Sequence, residues 1–314
     1  MEAVSEAPAQ RANSRWVYVA FAALAVLGGP VTESLRSALP AAGQLQVFSA
    51  ALAGIALLAL GVARRQKMLD AQWKAVLVLL IPNWCSFLIG PLTQSIPWIH
   101  PISWGTALLL SVAAPLWLAL LWALELVPVK VPRAVAGAAI AGVFAVCLPA
   151  PVQAYQVTWN QAPILVLHLL LNLAIVASWA YAAPRLAGAD TRMAAGCYLL
   201  LSAAGDAAFV LVSGRNVWEP LEWPGAWTPL LLQAIVIACV WWLWFWLLRR
   251  MTLPAFAIYP LAAWAAALIP AFATAVLLQW RLDAAFLIAL AAIVIALRAR
   301  STDEQPMALG LGET

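Results

Sequence analysis

The chain has 314 residues, of which 65% are hydrophobic and 10% charged, and its mean hydropathy is +0.92. A water-soluble domain carries roughly 25% charged residues, so this little charge cannot coat a soluble surface of such size, and the composition is that of a polytopic helical membrane protein. The formal net charge of +4 does not point to nucleic acid, because the basic residues stand in short segments between apolar runs, where they orient a chain in a bilayer.

A helix that crosses a bilayer needs about 20 apolar residues. Residues 1–15 are expected to form a disordered cytoplasmic N-terminus. The first span is predicted over 16–36. A signal peptide is its rival, but the apolar run continues into Glu33 and Arg36 without a convincing cleavage site, so it is read as a helix. Nine more spans are predicted over 43–63, 75–95, 101–124, 134–152, 161–184, 193–213, 227–248, 254–278 and 282–299. Residues 301–314 are expected to be a disordered cytoplasmic tail.

The basic residues orient this set. With a cytoplasmic N-terminus, the inner segments hold Arg11, Arg15, Arg64, Arg65, Lys67, Lys74, Lys130, Arg133, Arg185, Arg192, Arg249, Arg250, Arg298 and Arg300. The outer segments hold Arg36, Arg215 and Arg281. Fourteen against three is a strong positive-inside bias, and both termini are expected on the cytoplasmic side of a bacterial inner membrane. The outer loops carry prolines and tryptophans, including Trp98, Trp159, Trp218, Trp223 and Trp227. Tryptophan suits the headgroup level, where its ring meets lipid and its N–H meets water. The run WWLWFW over 241–246 puts tryptophan on every helical face and reads mainly as lipid-facing and interfacial anchoring, although Trp84, Trp117, Trp179, Trp241, Trp244 and Trp264 stand deeper. The four cysteines, Cys85, Cys147, Cys197 and Cys239, fall inside apolar segments with no zinc or disulfide spacing and read as small buried hydrophobes.

Ionisable groups in hydrocarbon are costly, so each is a functional candidate. Asp206 is the sharpest, in the outer half of the seventh span among small neighbours that leave room for a ligand. It reads as a counter-ion for a cationic group or a proton-titrating site, against a hydrogen-bonded tie between two helices. His168 and Asn172, spaced i, i+4, share one face of the sixth span, continued seven residues on by Trp179. At 1.5 Å of rise per residue Asn172 falls near the midplane, and His168 is a candidate proton shuttle. Asn83 follows Pro82 in the third span, and Gln233 is a candidate liner in the eighth. Tyr259 and Trp264 share the ninth span with Pro254, Pro260 and Pro270, a kinked helix with aromatic faces of the kind that binds flat or cationic ligands. Glu33 and Arg36 are candidate gate or coupling residues and lie three apart, close enough to pair. Glu125, near Lys130 and Arg133, is a third gating candidate, against a solvated role at the end of the fourth span.

The two halves read as copies of one unit. The first span ends in LGGPVTESLRSALP and the sixth in ASWAYAAPRLAGAD. The fourth carries Pro115 ahead of Glu125, and the ninth carries Pro270 ahead of Gln279. Small-residue helices, AGAAIAGVFA and LIALAAIVIALRAR, close each half. An odd number of spans per copy inverts the second relative to the first, as in many secondary transporters. The predicted fold is therefore an all-α membrane protein of ten transmembrane helices, arranged as two inverted five-helix repeats (16–152 and 161–300) around a central cavity.

On Gly28-Gly29-Pro30, Pro115 with Glu125, the Gly137/Gly142 helix, Ser178-Trp179-Ala180-Tyr181 and the WWLWFWLLRR run, the chain resembles bacterial members of the drug/metabolite transporter superfamily built from two EamA-type domains. It departs from the pattern at Gln279, where an acidic residue is expected, and lacks a tryptophan before the first glycine kink. The resemblance implies a secondary transporter of a small organic metabolite, amino acid-like, amphipathic or cationic, working by alternating access and leaning toward export. The substrate and the bilayer are the expected partners, with protons as a candidate coupling ion and no nucleic acid, cofactor or metal. A non-transporting receptor or assembly subunit is the alternative. A membrane-embedded enzyme is disfavoured: the chain has two histidines, His100 and His168, and no HExxH or paired aspartate-rich motif.

Overall fold

A computed structural model describes residues 7–31, 42–64, 67–94, 104–126, 137, 140, 162–186, 188–212, 214, 218, 225, 227–263 and 266. The described elements are helical: α1 (Ala7–Val26), a π-helical turn (Leu27–Val31), α2 (Ala42–Val62), α3 (Asp70–Gln94), α4 (Trp104–Ala123), α5 (Ala162–Arg185), α6 (Thr191–Val212), α7 (Trp227–Arg250) and α8 (Leu253–Phe256). No strand occurs among the described residues.

Local chemistry sets several of these ends. Asp190 caps α6: its Oδ1 accepts from the backbone N–H groups of Arg192 at 2.8 Å and Met193 at 3.3 Å, which would otherwise lack helical partners. Gln72 reaches back from the first turn of α3 and accepts from the Leu69 N–H at 3.0 Å, one arm of a capping box. Arg185 closes α5 by donating to the Tyr181 carbonyl at 2.8 Å and stacking over the Tyr181 ring at 3.7 Å. The last turn of α4 closes with Glu125 N–H on Trp122 O and Leu126 N–H on Leu121 O, both 2.9 Å. This is the Schellman pattern, and Glu125 takes the left-handed position, φ 58°, that glycine ordinarily fills. At Gly28-Gly29-Pro30, proline removes a backbone donor and α1 loosens into the π-helical turn.

The interior is built on small residues. α2 packs against α6 and α7, α3 against α5 and α6, α4 against α5, and α1 against α7. The α2–α6 contact is reciprocal. A Cβ added at Gly54 would lie 2.9 Å from Leu200 Cγ and 3.1 Å from the Gly196 carbonyl oxygen. One added at Gly196 would lie 2.8 Å from Leu58 Cγ, 2.9 Å from the Leu58 nitrogen and 3.0 Å from the Gly54 carbonyl oxygen. Further along, Gly61 faces Met193. Residue numbers rise on α2 as they fall on α6, so the two helices cross antiparallel, backbone to backbone. This is the close packing that glycine permits where lipid supplies no hydrophobic drive between helices.

The outward faces are apolar as well. Ile55, Leu60, Ile81, Leu170, Val212 and Ile235 are all exposed. Among the described residues, four helices are long and apolar enough to cross a membrane: Leu45–Val62, Val166–Arg185, Thr191–Val212 and Trp227–Arg250. Apolar surface inside and out is the composition of a membrane protein, since a soluble monomer rarely exposes so much.

Of the ten predicted spans, those over 16–36, 43–63, 75–95, 101–124, 161–184, 193–213 and 227–248 correspond to helices α1 to α7. The 254–278 span begins with α8, and Trp264 and the rest of its length beyond Ala266 lie outside the described residues. The spans over 134–152 and 282–299 also lie outside them, apart from helical Gly137 and Ile140. Helix α1 begins at Ala7, ahead of the expected start at 16, because its polar first turns extend the helix past the apolar run. The WWLWFW run differs from its anchoring reading: Trp244 is 6% and Phe245 1% exposed. Those two face the interior of the bundle, where with Trp241 they pack on rings of α5, α6 and α8, while Trp242, Leu243 and Trp246 are half-buried. Cys197 is buried, whereas Cys85 and Cys239 are exposed; with apolar residues on both faces, membership of an apolar run does not tell inside from outside.

Candidate functional site

One group of interior polar residues lies where α3 meets α6. Asn83, half-buried on α3, donates through Nδ2 to Ser202 Oγ on α6 at 2.8 Å. Trp84, the next residue, lies with its indole against Gly205, so closely that a Cβ on Gly205 would collide with the Trp84 ring nitrogen. Asp206 follows Gly205, one turn beyond Ser202 on the same face of α6 at about 40° of rotation and 6 Å of rise. It is 5% exposed. Its Oδ1 is buried with no hydrogen-bond partner among the described residues. A buried acceptor left so costs about 1–3 kcal/mol, more if charged, and such a group calls for a functional account.

Within the four helices of spanning length, arginines occupy only the end turns: Arg185, Arg192, Arg249 and Arg250. Asp206 alone among their Asp, Glu, Lys and Arg residues stands well inside. The local sequence produces this placement. Ser202, Gly205 and Asp206 are small or short residues, and the missing side chain at Gly205 lets the Trp84 indole of α3 lie against α6.

The other candidates are dispersed. Gln233 on α7 is buried and accepts from Ser49 Oγ of α2 at 3.0 Å; the same hydroxyl approaches the Leu230 carbonyl at 3.3 Å. Gln233 thereby ties α2 to α7. Asn172 turns back on its own helix and donates to the His168 carbonyl at 3.3 Å, and both residues are half-buried on α5. Trp179, on the same helix, is buried in an aromatic cluster, 6.0 Å from Trp244 and 5.2 Å from Phe256, edge to face. Tyr259 stacks on Phe256 at 6.1 Å and meets Phe21 at 6.5 Å, and its hydroxyl lies against Gly28 in the π-helical turn. Glu125 is exposed in the turn after α4. Glu33, Arg36 and Trp264 lie outside the described residues.

Three participants escaped the sequence reading: Ser202, Ser49 and Gly205. Ser202 was findable, since it stands four residues before Asp206 on a small-residue face. Ser49 carried no signal, because a lone serine in an Ala/Leu-rich helix reads as filler. Trp117, one of the tryptophans the sequence places deeper, has its indole N–H buried with no partner among the described residues. No group of three or more His, Cys, Asp or Glu that could hold a metal occurs among the described residues.

No family model matches the chain, and no curated protein matches it. Solved structures do. One, described simply as "Crystal structure of protein", superposes with a TM-score of 0.61 at 19% identity, covering 94% of this chain and 99% of that one. At that identity the likeness is one of fold, and it extends over nearly the whole chain.

Proposed function

We propose that the protein is a secondary transporter of a small organic solute in the bacterial cytoplasmic membrane, working by alternating access between two inverted halves. The observation that carries the reading is a buried carboxyl oxygen, Asp206 Oδ1, without a partner among the described residues, at the seam between first-half α3 and second-half α6. Buried polar groups at the interface of inverted repeats are where such transporters bind substrate.

The helix contacts support the inversion. If α1, α2 and α3 of the first half are equivalent to α5, α6 and α7 of the second, the contact of α3 with α5 has its counterpart in that of α7 with α1. The contact of α2 with α7 has its counterpart in that of α6 with α3. The α2–α6 crossing maps onto itself: Gly54 meets Leu200 as Gly196 meets Leu58. Exchange of this kind is what a two-fold axis through the crossing produces, and antiparallel crossing makes the axis an inverting one. The resemblance to two-domain members of the drug/metabolite transporter superfamily rests on the same order of elements and remains part of this proposal, as do an export direction, proton coupling and the cytoplasmic termini.

A non-transporting receptor or assembly subunit is the second reading. The dense aromatic packing of Trp179, Trp244, Phe245 and Phe256 favours it, because rings locked edge to face resist the rearrangement that alternating access needs. Counterflow in proteoliposomes separates the two. Vesicles loaded with a mixed pool of amino acids, amines and nucleosides are expected to exchange at least one solute, and Asp206→Asn to lose that exchange. Exchange of no pool member by the wild type moves the assignment to the second reading.

A further inference from the structure

We propose that the end of the bundle centred on the α5–α6 turn is a docking surface for the headgroups of anionic phospholipids, with Arg64, Lys67, Lys74, Arg185, Arg192 and Arg250 as its cationic groups. The inference goes beyond the transporter reading and rests only on the chain being a membrane protein.

Convergence is the first argument. The turn between α5 and α6 stands where five helices end. Gly188 in that turn faces Gln72 in the first turn of α3. Arg249 in the last turn of α7 donates to the Ala189 carbonyl. Gly61 at the end of α2 faces Met193 in the first turn of α6. These contacts bring basic residues far apart in sequence to one end of the bundle. Arg64 follows α2, Lys67 and Lys74 flank the start of α3, Arg185 ends α5, Arg192 opens α6, and Arg249 and Arg250 end α7. The opposite ends of these five helices hold no Lys or Arg among the described residues. Against the seven bases, the same segments place two acids at this end, Asp70 and Asp190, and Asp190 is engaged in capping α6.

The level of the charges is the second argument. The apolar spans Leu45–Val62, Val166–Arg185, Thr191–Val212 and Trp227–Arg250 all stop at or beside these residues. Where an apolar span stops is where the phosphates of a surrounding bilayer stand. Arg64, Lys67, Lys74, Arg185 and Arg250 are exposed there. Apolar surface adjoins them in the chain: Val62 is 61%, Leu69 67% and Trp73 40% exposed. Two guanidinium groups lie over aromatic rings, Arg185 at 3.7 Å from the centre of Tyr181 and Arg250 at 5.3 Å from that of Trp246. A planar guanidinium stacked in this way is oriented for phosphate oxygens. A soluble polyanion would meet apolar side chains beside the charges, whereas a phospholipid covers both, with its headgroup on the bases and its acyl chains on the apolar border. Clustered bases at a membrane face recognise acidic headgroups on these terms.

Binding is tested by thermal unfolding of the purified full-length protein in a neutral detergent. The probes are dioleoylphosphatidylglycerol, dioleoylphosphatidylcholine and inorganic phosphate. The two lipids share acyl chains and a phosphodiester and differ in net charge. Phosphatidylglycerol is expected to raise the unfolding midpoint at a lower mole fraction than phosphatidylcholine, and inorganic phosphate to leave it unmoved. Half-saturation by phosphatidylglycerol is expected to weaken about fivefold for each basic residue removed, the worth of one Lys or Arg at an anionic surface, and so about tenfold or more when Lys67→Gln and Lys74→Gln are combined. Lys67→Arg with Lys74→Arg keeps both charges and should retain the binding. Equal effects of the two lipids, an undiminished phosphatidylglycerol effect in the glutamine pair, or no shift from phosphatidylglycerol would each overturn the assignment. An equal shift from inorganic phosphate would overturn it too, in favour of a soluble anion. The two readings fail separately: lipid binding without solute exchange in proteoliposomes keeps the surface and removes the transporter, and exchange without preference for the anionic lipid does the reverse.

Discussion

Replacing Gly196 by alanine tests the crossing on which the proposed two-half architecture depends. The new methyl carbon would stand 2.9 Å from the Leu58 nitrogen and 3.0 Å from the Gly54 carbonyl oxygen, both backbone atoms that no rotamer change can move. Favourable contact begins near 3.5 Å, so α2 and α6 must part by roughly 0.5 Å, and a gap of that size forfeits about a quarter of the dispersion well for each pair along the seam. Overpacking of this kind costs about 1–3 kcal/mol. Alanine's better helix propensity returns about 1 kcal/mol, leaving a net loss of up to about 2 kcal/mol. The other glycines supply internal controls. Gly54→Ala meets Leu200 Cγ at 2.9 Å and the Gly196 oxygen at 3.1 Å and should cost somewhat less. Gly61→Ala meets the flexible Met193 side chain, its Cγ at 2.6 Å, which can swing away. Gly188→Ala meets only Gln72 Nε2 at 3.9 Å and should be neutral. Denaturant midpoints in mixed micelles read the series. The expected order of loss is Gly196, Gly54, Gly61, Gly188; a Gly196→Ala protein as stable as wild type, or less perturbed than Gly61→Ala, would refute the backbone-to-backbone crossing.

Glu125→Gly should stabilise the fold by about 0.5–1 kcal/mol, because glycine takes the left-handed φ of 58° without a Cβ penalty; a loss of stability on equilibrium unfolding would contradict the cap. Ser49→Ala should cost about 0.6 kcal/mol, the usual worth of an interhelical hydrogen bond in membrane proteins, by removing the 3.0 Å bond to Gln233. Adding Gln233→Leu should recover most of that loss, since the orphaned amide goes with it. A double variant no better than the single one would show that the α2–α7 tie does not run through this pair.

The helices were legible because length and apolarity decide them: Leu45–Val62 or Trp227–Arg250 could be little else. Asp206 was legible for the same reason, as a carboxyl group in a run of small apolar residues. Which residues meet it was not. Asn83 and Ser202 are 119 residues apart, and no local pattern couples them. The orientation of the WWLWFW run was misread because helical periodicity carries little information when lipid and core are equally apolar; only the partners Phe256 and Trp179 turn Trp244 inward. Pairing of Asn172 with His168 through its backbone carbonyl likewise rests on a rotamer that spacing leaves open.

Two-sided accessibility at the seam tests alternating access most directly. With the four native cysteines replaced, Ser202→Cys would be labelled by a membrane-impermeant thiol reagent applied in turn to each face of oriented vesicles. The account predicts modification from both faces, slowed from both when a transported solute is present. Labelling from one face only, or from neither, under every solute condition would contradict it.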